Sequence, residues 1–138
     1  MSQDVSQTIN DLALRAREAS LSLAGASSSD KDDALQAIAR ALESNRKLLL
    51  EENQKDLESA EENGLSEAMV DRLRLTHERI DGMAQGLRQL IDLPDPVDSV
   101  IHETTRPNGL LIKKVSTPIG VIAIIYESRP NVTIDCAG

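Results

Sequence analysis

The chain has 138 residues, a formal net charge of −8, one Tyr and no Phe or Trp, so a domain-sized core must come from Leu, Ile, Val, Ala and Met. That acidity argues against a duplex DNA or RNA binder, which needs a basic face to displace counterions, while leaving room for a local basic pocket around a nucleotide phosphate. One Cys forms no intrachain disulfide, no apolar run approaches the ~20 residues that span a bilayer, and Met1 to Asn10 show no basic region followed by an apolar core. The expectation is a soluble cytoplasmic protein with no nucleic-acid or membrane partner.

From Val5 the apolar positions Ile9, Leu12, Ala16, Ala19 and Leu23 step by three and four, the stripe of an amphipathic helix. Gly25 and the serines Ser27 to Ser29 interrupt it, and Ser29 with Asp32 three residues on reads as a variant of a capping box. One long helix is then predicted to place Leu35, Ile38, Ala39, Leu42, Leu49 and Leu57 inward, ending at Asn63-Gly64 through a left-handed C-cap. Ser66 caps the next helix, with Leu65 and Val70 as the two halves of a hydrophobic staple, and Leu75, Thr76 and Ile80 repeat that arrangement. Ile80, Met83, Leu87, Leu90 and Ile91 form a further stripe, which Leu93-Pro94-Asp95-Pro96 stops because proline cannot continue a helix.

After Pro96 the character changes. Val100 to Arg106 and Leu110 to Val115 are strand candidates joined by Pro107-Asn108-Gly109, a hairpin loop. Lys113-Lys114 protects the hairpin edge against stray pairing. Ile119 to Tyr126 lacks polar/apolar alternation, which fits a strand buried on both faces of a parallel sheet. It feeds a polar turn, Tyr126 to Asn131, and then a helix start. A strand–turn–helix unit is how open α/β sheets build nucleotide sites, with the helix N-terminus offered to an anion. A buried parallel strand needs neighbours that a hairpin does not supply, so the chain is expected to be part of something larger or to assemble with other chains.

The stretch from Pro118 through Tyr126-Glu127-Ser128-Arg129-Pro130-Asn131-Val132-Thr133 closely resembles the γ-glutamyl phosphate reductases (glutamate-5-semialdehyde dehydrogenases), a family of the aldehyde dehydrogenase superfamily. Asp71-Arg72-Leu73 followed by Leu75, Leu93-Pro94-Asp95-Pro96-Val97 and Arg106-Pro107-Asn108-Gly109-Leu110 are similar to it as well. The resemblance implies an α/β, aldehyde-dehydrogenase-like fold of which this chain is the N-terminal portion. Residues 1–98 would be the helical part of the cofactor-binding domain, 99–117 a β-hairpin oligomerisation arm, and 118–138 the first strand and start of a Rossmann-like nucleotide-binding core, left incomplete. The implied activity is NADPH-dependent reduction of L-glutamyl 5-phosphate to L-glutamate 5-semialdehyde and phosphate in proline biosynthesis. In the family a Cys thiolate expels phosphate and hydride reduces the thioester. That Cys lies downstream of the last residue here, so the chain alone is expected to be inactive. A homo-oligomer is implied. A bifunctional form carrying a glutamate kinase is a further partner arrangement, against which the Met at position 1 speaks. The rival readings are a non-enzymatic oligomerisation or interaction module whose hairpin pairs with a partner sheet, and an aldehyde dehydrogenase with another substrate.

In the family layout Tyr126, Glu127, Ser128 and Arg129 match positions that line the cofactor groove. Arg129 suits a charge-assisted contact to a phosphate of cofactor or substrate; its bland alternative is an ion pair with Glu127 or a solvated turn residue. Asn131 is favoured as the helix N-cap, with an oxyanion donor as the other reading. Cys136 is expected to be a buried structural thiol, a nucleophile being the less favoured role. His77 and His102 have no second ligand at metal spacing, so no metal site is expected. The acidic stretch Glu51 to Glu62 reads as a solvated helix face.

Overall fold

The computed structural model describes residues 2–138, with side chains from Asp4 onward. Six helices and one hairpin follow in order: α1 (Ser2–Leu23), α2 (Ser28–Ser44), α3 (Arg46–Glu62), α4 (Glu67–Leu73), α5 (His77–Ile91), β1 (Val100–Thr105), β2 (Leu111–Val115) and α6 (Pro130–Ala137). They divide into two compact units, one of residues up to Ser28 together with Pro94–Ala123, the other of Ser29–Leu93 with Ile124–Gly138.

The second unit holds both hydrophobic clusters among the described residues. Ala39 and Leu42 of α2 meet Ile80, Met83, Ala84 and Leu87 of α5, with Leu35, Ile38, Leu49, Leu50, Leu75 and Ile134 packed around them. Ile80 and Ala84 are fully buried. Leu57 and Ala60 of α3 meet Val70 of α4, flanked by Leu65 and Leu73. The stripes predicted over α2 and over α5 as far as Leu87 thus find partners, while the stripe predicted for α1 does not: Ile9, Leu12 and Leu23 are exposed.

The single long helix expected from Ser29 to Glu62 is two. Asn45 separates α2 from α3 with φ −100 and ψ 14, and its Nδ2 donates to the Ala41 carbonyl at 2.8 Å. A side chain bonding back four residues competes with the helix ladder and bends it. The break lets α3 turn Leu57 and Ala60 toward α4 rather than along the α2 stripe. At the start of α2 the helix begins at Ser28, so Ser29 lies inside it and is not the cap; Ser28 Oγ donates to Asp95 Oδ2 at 2.9 Å.

The helix ends that depend on backbone geometry follow expectation. Gly64 has φ +71, its N–H bonds Glu61 O and the Leu65 N–H bonds Ala60 O, each at 3.0 Å, the pair of bonds of a Schellman motif. Thr76 caps α5, its hydroxyl accepting from the Arg79 N–H at 3.1 Å. Ser66 sits at the α4 cap position with extended backbone, but its hydroxyl makes no cap hydrogen bond. There the staple of Leu65 and Val70 carries the turn.

In the first unit, β1 and β2 pair antiparallel, Thr105 opposite Leu111 and Glu103 opposite Lys113, with a bulge between Val100 and His102. Gly109, at φ +84, closes the three-residue loop by donating to Arg106 O at 2.9 Å. Lys113 Nζ lies 3.1 Å from Glu103 Oε2 across the ladder. Every residue of both strands is exposed.

Residues 116–129 belong to no helix or strand. The strand expected at Ile119 to Tyr126 is therefore not formed as a ladder here, because β1 and β2 pair only with each other and the described residues offer this segment no neighbouring strand. Its apolar side chains stand exposed, Ile119 at 87% and Ile125 at 100%. No helix among the described residues is long and apolar enough to cross a membrane.

Candidate functional site

The turn after this apolar segment is built by backbone conformation first. Ser128 takes φ +53, a left-handed conformation that only a few per cent of non-glycine residues adopt. Arg129 follows at φ −143 and ψ 84 as the N-cap of α6, and Pro130 occupies the first helical position. Proline there needs no N–H partner and has φ already set for a helix. Backbone strain of this kind is retained where the surroundings over-determine it, and such places concentrate at binding sites. Tyr126 reaches across the turn, its hydroxyl 2.5 Å from Thr133 Oγ1 in the first turn of α6.

This arrangement corrects the reading of Asn131. With Pro130 at the first helical position, Asn131 falls inside the helix rather than at its cap, and its Nδ2 donates to Asp135 Oδ2 at 2.9 Å. Cys136 is corrected too: it is a free, exposed thiol near the end of α6. Ile134 packs toward the core, and two residues further on a helix turns the side chain to the opposite face.

Arg129 makes no ion pair with Glu127. It lines a cavity of about 460 Å³ together with Arg72, Arg74, Arg79, Asp71 and Asp135. The far wall is the end of α4 and the start of α5. Arg79 fixes that wall: its guanidinium lies 3.2 and 3.3 Å from the two Asp71 carboxylate oxygens. It also donates to the Arg74 carbonyl at 2.6 Å and to the Asp71 carbonyl. Carbonyls left over at the C-terminus of α4 thereby find a cationic donor. Beneath them Asn53 is buried, only 5% exposed. Its Nδ2 donates to Leu73 O at 2.9 Å and its Oδ1 accepts from Leu75 N at 2.7 Å. Glu78, beside the cap of α5, is held below the ordinary carboxylate value by its own backbone N–H and then by the Thr76 hydroxyl.

The structure thus brings Arg129 and Asn131 to one cavity, whose lining does not include the exposed Tyr126 and Glu127 or the half-buried Ser128. Arg72 entered the sequence reading only within the Asp71-Arg72-Leu73 segment, with no role given to it, and Arg74, Arg79 and Asn53 did not enter it at all. The available signal was three arginines within eight residues of a chain of net charge −8. His77 and His102 are both exposed, and among the described residues no group of His, Cys, Asp and Glu could hold a metal ion.

No protein-family model matches the chain. It is 50% identical over 137 residues to the γ-glutamyl phosphate reductase of Opitutus terrae, a match covering 99% of this chain and 32% of that protein. It is 55% identical over 124 residues to the γ-glutamyl phosphate reductase of Moorella thermoacetica, covering 90% of this chain and 30% of that one. The crystal structure of γ-glutamyl phosphate reductase from Thermotoga maritima superposes with a TM-score of 0.87 at 46% identity, over 91% of this chain and 30% of that one. The Saccharomyces cerevisiae structure of the same enzyme gives 0.87 at 34% identity, over 91% and 32%. The chain spans about a third of the length of the relatives it matches, and over that third its sequence and fold are similar to those of γ-glutamyl phosphate reductases.

Proposed function

We propose that the chain is part of an NADPH-dependent γ-glutamyl phosphate reductase, reducing L-glutamyl 5-phosphate to L-glutamate 5-semialdehyde and phosphate. The observation that carries this reading is likeness over nearly the whole chain, in sequence and in fold, to enzymes of that one name. The basic cavity fits the group such an enzyme must hold, since both cofactor and substrate carry phosphate and Arg129, at the N-terminus of α6, has no ion-pair partner among the described residues. When bound, the nicotinamide cofactor supplies the hydride. This chain's part is positioning: Ser128 turns the backbone so that Arg129 faces the cavity, and the Tyr126–Thr133 contact holds that turn against α6. Asn131 spends one amide N–H on Asp135 Oδ2, which ties its side chain along α6 at the edge of the site. On this reading the helices up to residue 98 belong to the cofactor domain, and residues 99–117 are the arm through which copies of a cytoplasmic homo-oligomer meet. The apolar segment at Ile119 is the first strand of a Rossmann-like core whose neighbours come from the rest of the enzyme.

A chimera tests this directly. This chain replaces the matching third of the Moorella thermoacetica reductase, and NADPH oxidation with L-glutamyl 5-phosphate is followed. Activity within about tenfold of the parent, some 1.4 kcal/mol in transition-state stabilisation, is expected. A soluble, folded chimera that oxidises no NADPH with this substrate sinks the reading.

The exposed hairpin and the exposed Ile119 to Tyr126 segment favour a second reading, an interaction module without chemistry. It predicts self-association of the chain together with an inactive chimera.

A further inference from the structure

We propose that Arg72, Arg74 and Arg129 form a phosphoryl-binding site in the cavity between the end of α4 and the first turn of α6. The inference deepens the reading above and rests on it for the identity of the ligand. Charge is the first argument. Four guanidinium groups (Arg72, Arg74, Arg79, Arg129) and two carboxylates (Asp71, Asp135) line the cavity, which leaves a formal balance of +2 in a chain whose net charge is −8. Asp71 is taken by Arg79, which also caps the α4 carbonyls. Asp135 accepts from Asn131. The guanidinium groups of the three remaining arginines make no hydrogen bond or ion pair among the described residues, and Asp135, whose charge a neutral amide does not cancel, offsets one of them, so two positive charges are left over. A phosphoryl group carries about −1.5 to −2 charges at neutral pH and offers three acceptor oxygens to such forks. The N-terminus of α6, eight residues long and opening on Pro130 beside Arg129, adds its dipole with the same sign.

Size is the second argument. About 460 Å³ exceeds what a lone phosphate fills and falls within the ~300–1,000 Å³ of small-molecule sites, so the phosphoryl group arrives attached to an organic body. Rigidity is the third. The backbone bearing Arg74 is anchored by Asn53 through the Leu73 carbonyl and the Leu75 N–H, so that wall of the cavity is set before the ligand arrives.

The test follows the arginine Nε–Hε resonances of the 138-residue chain during titration with inorganic phosphate, adenosine 2′-phosphate and acetyl phosphate. The expected result is one saturable process that moves Arg72, Arg74 and Arg129 together. Arg74→Ala and Arg129→Ala should each raise Kd at least tenfold, while Arg40→Ala, at an exposed position of α2, should leave it unchanged. The Arg74 side chain is exposed and makes no hydrogen bond or ion pair among the described residues, and Arg72→Ala stands in should one variant lose its dispersed spectrum. Tighter binding of adenosine 2′-phosphate identifies a nucleotide as the source, tighter binding of acetyl phosphate an acyl phosphate; either supports the site. Unsaturated shifts spread over arginines outside the cavity, or Kd values indifferent to all three arginine variants, overturn it. An active chimera alongside that negative result removes the site and leaves the reductase reading standing. Arginine-dependent phosphate binding beside an inactive chimera does the reverse.

Discussion

Two side chains show how single residues hold this molecule. Asn53 is the buried polar residue on an otherwise apolar stripe of α3, between Leu49 and Leu57. It supplies one donor and one acceptor to the segment joining α4 and α5. Asn53→Ala strands both the Leu73 carbonyl and the Leu75 N–H, and a lost buried partner costs about 1–3 kcal/mol. Thermal unfolding of the variant should show a loss of about 2 kcal/mol, and a change below 0.5 kcal/mol would show that water replaces the amide without penalty. Glu43 and Arg88 make a bidentate pair, both bonds 2.8 Å, that joins α2 to α5. The Arg88 hydrogen bond holds the Glu43 carboxyl below its ordinary value of 4.5. A carboxylate with a depressed folded-state pKa stabilises the protein above its unfolded value and loses that contribution as pH falls through the folded value. Glu43→Gln should therefore be less stable than the parent at pH 7, and the two stabilities should converge as acid unfolding is followed below pH 4.5. A constant difference across that range would assign the effect to packing instead.

At the level of helices and strands, what could be read from the sequence was what local chemistry decides. The Schellman end of α3 follows from glycine being able to adopt the +71° φ of Gly64. An added Cβ there meets nothing within 4 Å, so Gly64→Ala is strained by conformation alone and should cost about 1 kcal/mol. Gly86, in the interior of α5 with equally open space, should respond with the opposite sign, Gly86→Ala stabilising by up to about 1 kcal/mol. Equal signs in chemical denaturation would refute the argument. The hairpin loop, the α5 cap and the helix stripes were legible for the same reason. The break at Asn45 was not, because it depends on α3 finding a second cluster to pack against. Nor was the Pro130 start of α6, where two good N-terminal residues compete and proline takes the first helical position. The Arg72–Arg74 wall escaped because it joins a helix end to a turn more than fifty residues later, and no local pattern records such a meeting.

For the molecule as a whole the governing quantity is surface. The chain exposes 10570 Å². Two separate compact bodies sharing 15.0 kDa would expose about 8,500 Å² however they were arranged. Large apolar side chains contribute to it: Ile9, Leu12 and Leu23 of α1, Val100, Ile101, Leu111 and Ile112 of the hairpin, and Ile119, Ile122 and Ile125 are all exposed. An isolated two-stranded hairpin is marginal in water, and most helices draw their stability from burying a stripe rather than from propensity. The burial that makes α5 stable is therefore absent from α1, β1 and β2. Native-state amide exchange should separate the two classes. The amides of Ile80 to Leu87 should exchange only through global opening, with a free energy equal to that from denaturant unfolding. The amides of Val100 to Val115, and those along α1, should exchange many times faster and be insensitive to mild denaturant. If the chain self-associates through these surfaces, the fast class should slow as concentration rises while α5 stays unchanged. Hairpin amides as protected as those of α5 in dilute, monomeric chain would show that this unit is stable by itself, and would remove the surface argument for partners.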